Sequence, residues 1–284
     1  MNRDEFHYAH TAALAAEATL ARTGESGRAY LDGLAIARAD AMVDWMTPAH
    51  LHAAWGLPLA TQVRVQEGAA AQVAGGFWPC MERVARFHFT PPDDATMRSI
   101  VMAWRTDPAP LPANLIRLGV LLHAYQDCGE PGCPHRGYLG FPSPVNWRRS
   151  EELRVIEWYE RAVAWVRPSL KERVWGHALD SAADDLERCR RGAVATSIRI
   201  FEGLSGQTLQ WSGEGERTPH WLDQRTGVQH RCESVLAAML ARNDADLAAR
   251  ARRTFEVCTG KELPRFQPFV PTSEEWNAFL EATK

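Results

Sequence analysis

From residue 5 to residue 22 the chain runs without a glycine or a proline and is dense in alanine and leucine. These are strong helix formers, so the run commits the start of the chain to a helix whose apolar side chains must find neighbours. Thr23-Gly24-Glu25-Ser26-Gly27 ends it. A second helix is predicted over residues 27–46, with Leu31, Leu34, Ala35, Met42 and Trp45 at helical spacing and Thr47-Pro48 as its stop. Further helices are expected within residues 69–87 and at 95–106, 114–127, 151–166, 168–179, 182–204, 230–243 and 244–259. A last short one follows the capping sequence Thr272-Ser273-Glu274-Glu275. Residues 62–66 read as a short strand with no evident partner. The expected fold class is all-α, a single multi-helix domain over residues 1–284, interrupted by an irregular loop at 128–148 and a polar, turn-rich excursion at 205–228.

A chain of 284 residues with 45% hydrophobic and 24% charged side chains can bury a sizeable core, which excludes disordered and collagen-like classes. Its formal charge of -3 gives no electrostatic footprint for duplex nucleic acid and favours a small or locally recognised substrate. No run approaches the roughly 20 apolar residues of a transmembrane helix. The first residues, Met-Asn-Arg-Asp-Glu-Phe, do not read as a secretory signal, which predicts a cytoplasmic chain. The six cysteines are scattered apart from Cys128 and Cys133, so reduced thiols are expected. Those two with His135 lack the matching second pair of a structural zinc site. Trp78, Trp104, Trp147, Trp158, Trp165 and Trp175, on or beside helices, read as packing residues.

Phosphate-binding and dinucleotide-binding glycine patterns are absent, as are Gly-x-Ser-x-Gly and His-Glu-x-x-His. The clearest constellation is Leu122-His123-Ala124-Tyr125-Gln126-Asp127, where His123 and Asp127 stand four apart and share one helix face. Such a pair suits a metal ion, or a base with its orienting partner, and equally a buried His satisfied by an Asp. Asp127 lies near the end of an apolar helix, where a carboxylate opposes the helix dipole and needs compensation. His7, Asp40 and Asp44, His88 and His177 lie within or beside other apolar stretches. Buried there, each needs a partner or a metal, and ligands from several helices are the usual construction of a metal site in a bundle. The 128–148 loop adjoins the pair and brings His135 and Arg136.

At these residues the chain resembles a family of bacterial all-helical metal-binding proteins that is distantly similar to zinc-dependent phospholipase C and the related single-strand nucleases. The resemblance rests on His7-Tyr8-Ala9-His10-Thr11, Ile36-Ala37-Arg38-Ala39-Asp40-Ala41-Met42-Val43-Asp44 and Phe87-His88-Phe89. It continues through Leu122-His123-Ala124-Tyr125-Gln126-Asp127, His135-Arg136-Gly137-Tyr138, Gly176-His177-Ala178 and Asp184-Asp185. It implies the phospholipase C fold and a cluster of divalent ions, two of them zinc by expectation with manganese or iron as substitutes. The implied ligands are His7, Asp40 or Asp44, His88, His123, Asp127, His135 and His177. The implied activity is hydrolysis of a phosphoester through a di-metal site that activates water. Asp127 or Asp44 would bridge the ions, Asp40 is a candidate base, and Arg136 a candidate anchor for an anionic substrate.

Two departures bear on that expectation. The family pattern spaces the acid and the following His by about four residues, whereas Glu130-Pro131-Gly132-Cys133-Pro134 here widens the gap between Asp127 and His135. Four residues beyond His177 stands Ser181, where the secreted phospholipases carry an acid; Asp180, Asp184 or Asp185 are the candidates to replace it. Other readings of the same residues are a di-iron or manganese oxidative enzyme and a non-catalytic helical binding protein with satisfied core histidines. The first is weakened by the absence of Glu-x-x-His pairs.

Overall fold

The computed structural model describes residues 4–43, 101–106, 112–128, 183–213, 217–242, 244–267, 269 and 272–281. A π-helical turn, Asp4–His10, leads directly into α1, Thr11–Thr23. The expected first helix thus changes pitch at His10. Gly24 ends α1 at φ 70, and its N–H donates to the Leu20 carbonyl at 2.7 Å. Only glycine takes this left-handed conformation without a Cβ penalty, which is why the helix stops where the sequence breaks. There follow α2, Ser26–Val43, and a helical segment at 101–106. Next come α3, Pro112–Cys128, α4, Ala183–Ser205, α5, Glu233–Leu240, α6, Asp244–Thr259, and α7, Ser273–Glu281. The start of α7 forms the expected capping box: Thr272 N–H donates to Glu275 Oε2 at 2.7 Å, and Glu275 N–H to Thr272 Oγ1 at 3.2 Å.

The described residues are mostly helical, but the expected polar excursion is a small sheet. Strands β1, Gln210–Ser212, β2, Thr218–Leu222, and β3, Gln229–Arg231, pair antiparallel in the order β1-β2-β3. The strands are three to five residues long, too short for a period-2 pattern to stand out, and only β2 alternates in burial. Its Pro219 and Trp221 turn inward, and Trp221 joins the core together with Leu209, the residue just before β1. His230, exposed on β3, stacks on Trp221 at 4.5 Å.

Helix α1 is central. Every residue from Thr11 to Thr19 is buried, which a helix tolerates only when surrounded. One side packs with Ile36, Trp104, Leu118, Leu122, Phe201, Leu204 and Val235; the other, through Ala12, Ala13 and Ala16, with Ala37, Ala41 and Phe255. The alanines keep α1 thin, and glycines on its neighbours close the remaining gaps. A Cβ on Gly33 of α2 would sit 3.0 Å from the Ala12 carbonyl and 3.0 Å from Ala16 Cβ. A Cβ on Gly119 of α3 would sit 2.6 Å from Ala39 Cβ and 2.9 Å from the Asp40 nitrogen. Three helix backbones therefore run side by side in the order α1, α2, α3.

Glu17, fully enclosed in α1, caps α5 from outside. Its carboxylate accepts the backbone N–H groups of Glu233 and Ser234 at 2.9 and 2.8 Å, Ser234 Oγ at 2.5 Å and Trp221 Nε1 at 3.2 Å. These backbone donors belong to the first turn of α5, where intrahelical acceptors are lacking and the helix dipole favours a negative charge. Burial pushes the Glu17 carboxyl up, and the donors from Ser234, Glu233 and Trp221 pull against that rise. Cys232 and Cys258 are free, buried thiols, and burial raises both above the ordinary thiol range. Among the described residues no helix is long and apolar enough to cross a membrane.

Candidate metal centre

The α1–α2–α3 arrangement brings three side chains to one point. His7 comes from the π-helical turn, Asp40 from the last part of α2 and His123 from α3, and all three are buried. Asp40 Oδ1 lies 3.1 Å from His7 Nδ1 and 3.0 Å from His123 Nδ1, and the two imidazoles stack with centroids 4.0 Å apart. One oxygen thus stands between two ring nitrogens. Oδ2 of the same carboxylate accepts Thr11 Oγ1–H at 2.5 Å. Gln126 completes the cluster: its Nε2 donates to Thr11 Oγ1 at 2.8 Å, and its Oε1 lies 2.9 Å from His7 Nδ1. Asp40 Oδ1 is thus within hydrogen-bond reach of both rings, whose tautomers set which nitrogen carries the proton.

Ligand atoms of His7, Asp40 and His123 all fall within 4.8 Å of one another, a group that could hold a metal ion. Zinc ligands at about 2.0–2.1 Å in tetrahedral array stand about 3.3 Å apart, close to the Nδ1–Oδ1 spacings here. Two imidazoles and a carboxylate also suit zinc, manganese or iron. The nitrogen and oxygen atoms that bind an ion must be free of protons, so metal uptake weakens as pH falls.

His10 occupies the next turn and faces away. Its Nε2 is hydrogen-bonded to Ser197 Oγ of α4 at 2.8 Å. Enclosure lowers its pKa to about 4, against a smaller opposing pull from Asp40. His10 is therefore a neutral core histidine at physiological pH.

Of the residues singled out by sequence, the structure brings His7, Asp40 and His123 together. Asp127 lies on α3, one residue beyond Gln126. Asp44, His88, His135, Arg136 and His177, with the 128–148 loop, lie outside the described residues, as do the expected strand at 62–66 and helices at 151–166 and 168–179. Thr11 and Gln126 are cluster members that sequence reasoning missed, though helical spacing marks both. Thr11 stands four residues after His7 and Gln126 three after His123, each on its ligand's own face. Compared with known proteins, the chain matches no family model, no curated protein and no solved structure.

Proposed function

We propose that this protein is a metal-dependent phosphoester hydrolase, with His7, Asp40 and His123 among the ligands of a zinc-type di-metal centre. The observation that carries the reading is the buried His–Asp–His group, built from three helical elements with ligand-like spacing. A divalent ion there supplies Lewis acidity toward a phosphoryl oxygen and acidifies water. Asp40 takes a ligand's role in this reading rather than a base's, because both of its oxygens are already engaged. Asp127, Asp44, His88, His135 and His177 complete the expected ligand set, Arg136 is the substrate anchor, and the fold is of the phospholipase C type.

The test is elemental analysis after dialysis against zinc or manganese, followed by assay on a chromogenic phosphodiester. About two equivalents of metal and turnover in the wild type are expected, with both lost in Asp40→Asn and in His123→Ala. Full metal occupancy in both variants would remove the reading. A second reading is favoured by one observation: the cluster's hydrogen bonds run from Gln126 through Thr11 to Asp40 and back through His7, closed without any ion. A folded wild type that takes up no metal assigns the cluster to that reading, a polar core in a non-catalytic binding protein.

A further inference from the structure

The turn that carries His7 has a pitch its own residues do not explain. Asp4-Glu5-Phe6-His7-Tyr8-Ala9-His10 contains no glycine or proline to break an α-helix, and α1 follows it without interruption. The turn is nevertheless π-helical, with the wider i→i+5 closure that is rare and found mostly at functional sites. What imposes that register lies outside the segment.

Three of its side chains are fastened to different parts of the molecule. His7 meets Asp40 on α2 at 3.1 Å and Gln126 on α3 at 2.9 Å. His10 is bonded to Ser197 on α4 at 2.8 Å. Tyr8, buried between them, donates its hydroxyl to the Pro264 carbonyl at 3.0 Å, and its ring tilts against Phe266 with centroids 5.2 Å apart. Pro264 and Phe266 belong to a strap that leaves the end of α6, where residues 262–267 have no regular secondary structure. The strap is itself held. Leu263 is buried and its carbonyl accepts Arg252 Nη1–H from α6 at 3.2 Å, while Lys261 Nζ lies 4.4 Å from the centre of the Tyr30 ring on α2. Proline fixes the backbone φ at the residue that presents the acceptor.

We propose that Tyr8 is a positioning residue of the metal centre: anchored on the Pro264 carbonyl, it holds the π-helical register of residues 4–10 and so aims the His7 imidazole at Asp40. Rewinding the turn to α register would rotate His7 about the helix axis relative to α1 and carry its ring off Asp40 Oδ1 and off the face of His123. Tyr8 would have to turn with it and leave Pro264, so the hydroxyl anchor resists that rotation through the backbone the two residues share. This role rests on the metal reading of the His7–Asp40–His123 group, and it ties that group to a segment of chain 256 residues away.

The experiment is titration of the metal-stripped full chain with cobalt(II), read by visible absorption and by competition with a chromogenic chelator. Tyr8→Phe keeps the ring against Phe266 and removes only the hydroxyl, and circular dichroism checks its fold. Its cobalt affinity is expected to fall about tenfold, the lower end of what partners outside a ligand set carry, with an altered visible band because one ligand has moved. Lys261→Ala loosens the same strap from Tyr30 but leaves the Tyr8 anchor in place, and it is expected to match the wild type in both affinity and band. The wild type supplies a measurement that no variant's folding can affect. Linkage is reciprocal, so cobalt should slow backbone hydrogen exchange at residues 4–10 and 262–267 together. Undiminished cobalt affinity in folded Tyr8→Phe, an equal loss in Lys261→Ala, or exchange at 262–267 indifferent to bound cobalt would overturn the proposal and leave the metal reading standing. No cobalt uptake by the wild type would remove both.

Discussion

A β-carbon on Gly119 would lie 2.9 Å from the backbone nitrogen of Asp40, so the place where α3 touches α2 is also where the candidate metal ligand is rooted. His123 follows Gly119 by one turn and meets the Asp40 carboxylate at 3.0 Å. Gly119→Ala separates two effects of opposite sign. Helix propensity alone would stabilise by up to about 1 kcal/mol, whereas the clash with the α2 backbone costs roughly 1–3 kcal/mol. Net destabilisation in chemical denaturation, with loss of metal uptake, is the expected outcome. A stabilised variant would show that the helices do not approach this closely.

Thr11 and Gln126 hold Asp40 and His7 without belonging to the ligand group. Outer partners of this kind typically carry 10–100-fold in metal affinity. Thr11→Val keeps the shape of the side chain and removes its hydroxyl donor, so zinc binding by competition with a chromogenic chelator is expected to weaken by about that factor. Gln126→Leu should do the same, and the double variant should lose less than the product of the two, because Gln126 acts partly through Thr11.

His10 makes the fold sensitive to acid. Its pKa is held at about 4 in the folded chain against 6.5 for an ordinary histidine, so the unfolded chain binds the extra proton between those values. The stabilisation is fully present above pH 6.5 and is lost as pH falls from there through about 4, a loss of about 3 kcal/mol. Urea denaturation at neutral pH and at a pH just above 4 should show this decline in the wild type. In His10→Gln, which cannot take up the proton, the decline should be smaller by about 2–3 kcal/mol. Equal declines would mean that His10 is not buried neutral.

Glu17→Ala removes the acceptor from Glu233 N–H, Ser234 N–H and Oγ–H, and Trp221 Nε1–H at once. The expected cost is about 3–5 kcal/mol in chemical denaturation, since the Ser234 and Trp221 donors remain enclosed. Glu202 provides the contrast: half-buried, it accepts Leu209 N–H at 2.9 Å, and Glu202→Ala should cost only about 1 kcal/mol.

Helices were legible wherever propensity and a breaker agreed. The Ala-rich run, the stop at Gly24, the extent of α6 and the capping box before α7 all rest on interactions between residues a few positions apart, which a sequence displays directly. The sheet was not, because its strands are short and the inward turn of Trp221 depends on Glu17, 204 residues away. His7, Asp40 and His123 were candidates by residue type and apolar surroundings, but their meeting depends on Gly33 and Gly119, whose role is defined only by what lies opposite them.

The span between Glu17 and Ser234 covers 217 residues, and it fixes an order of events during synthesis. The first helix leaves the ribosome with a carboxylate bound for the interior, while the backbone donors that receive it have yet to be made. Until the start of α5 emerges, α1 cannot be enclosed in its final surroundings, and its apolar faces stay open to wrong partners. A nascent chain halted before residue 233 therefore keeps those faces uncovered and is a natural client for a chaperone.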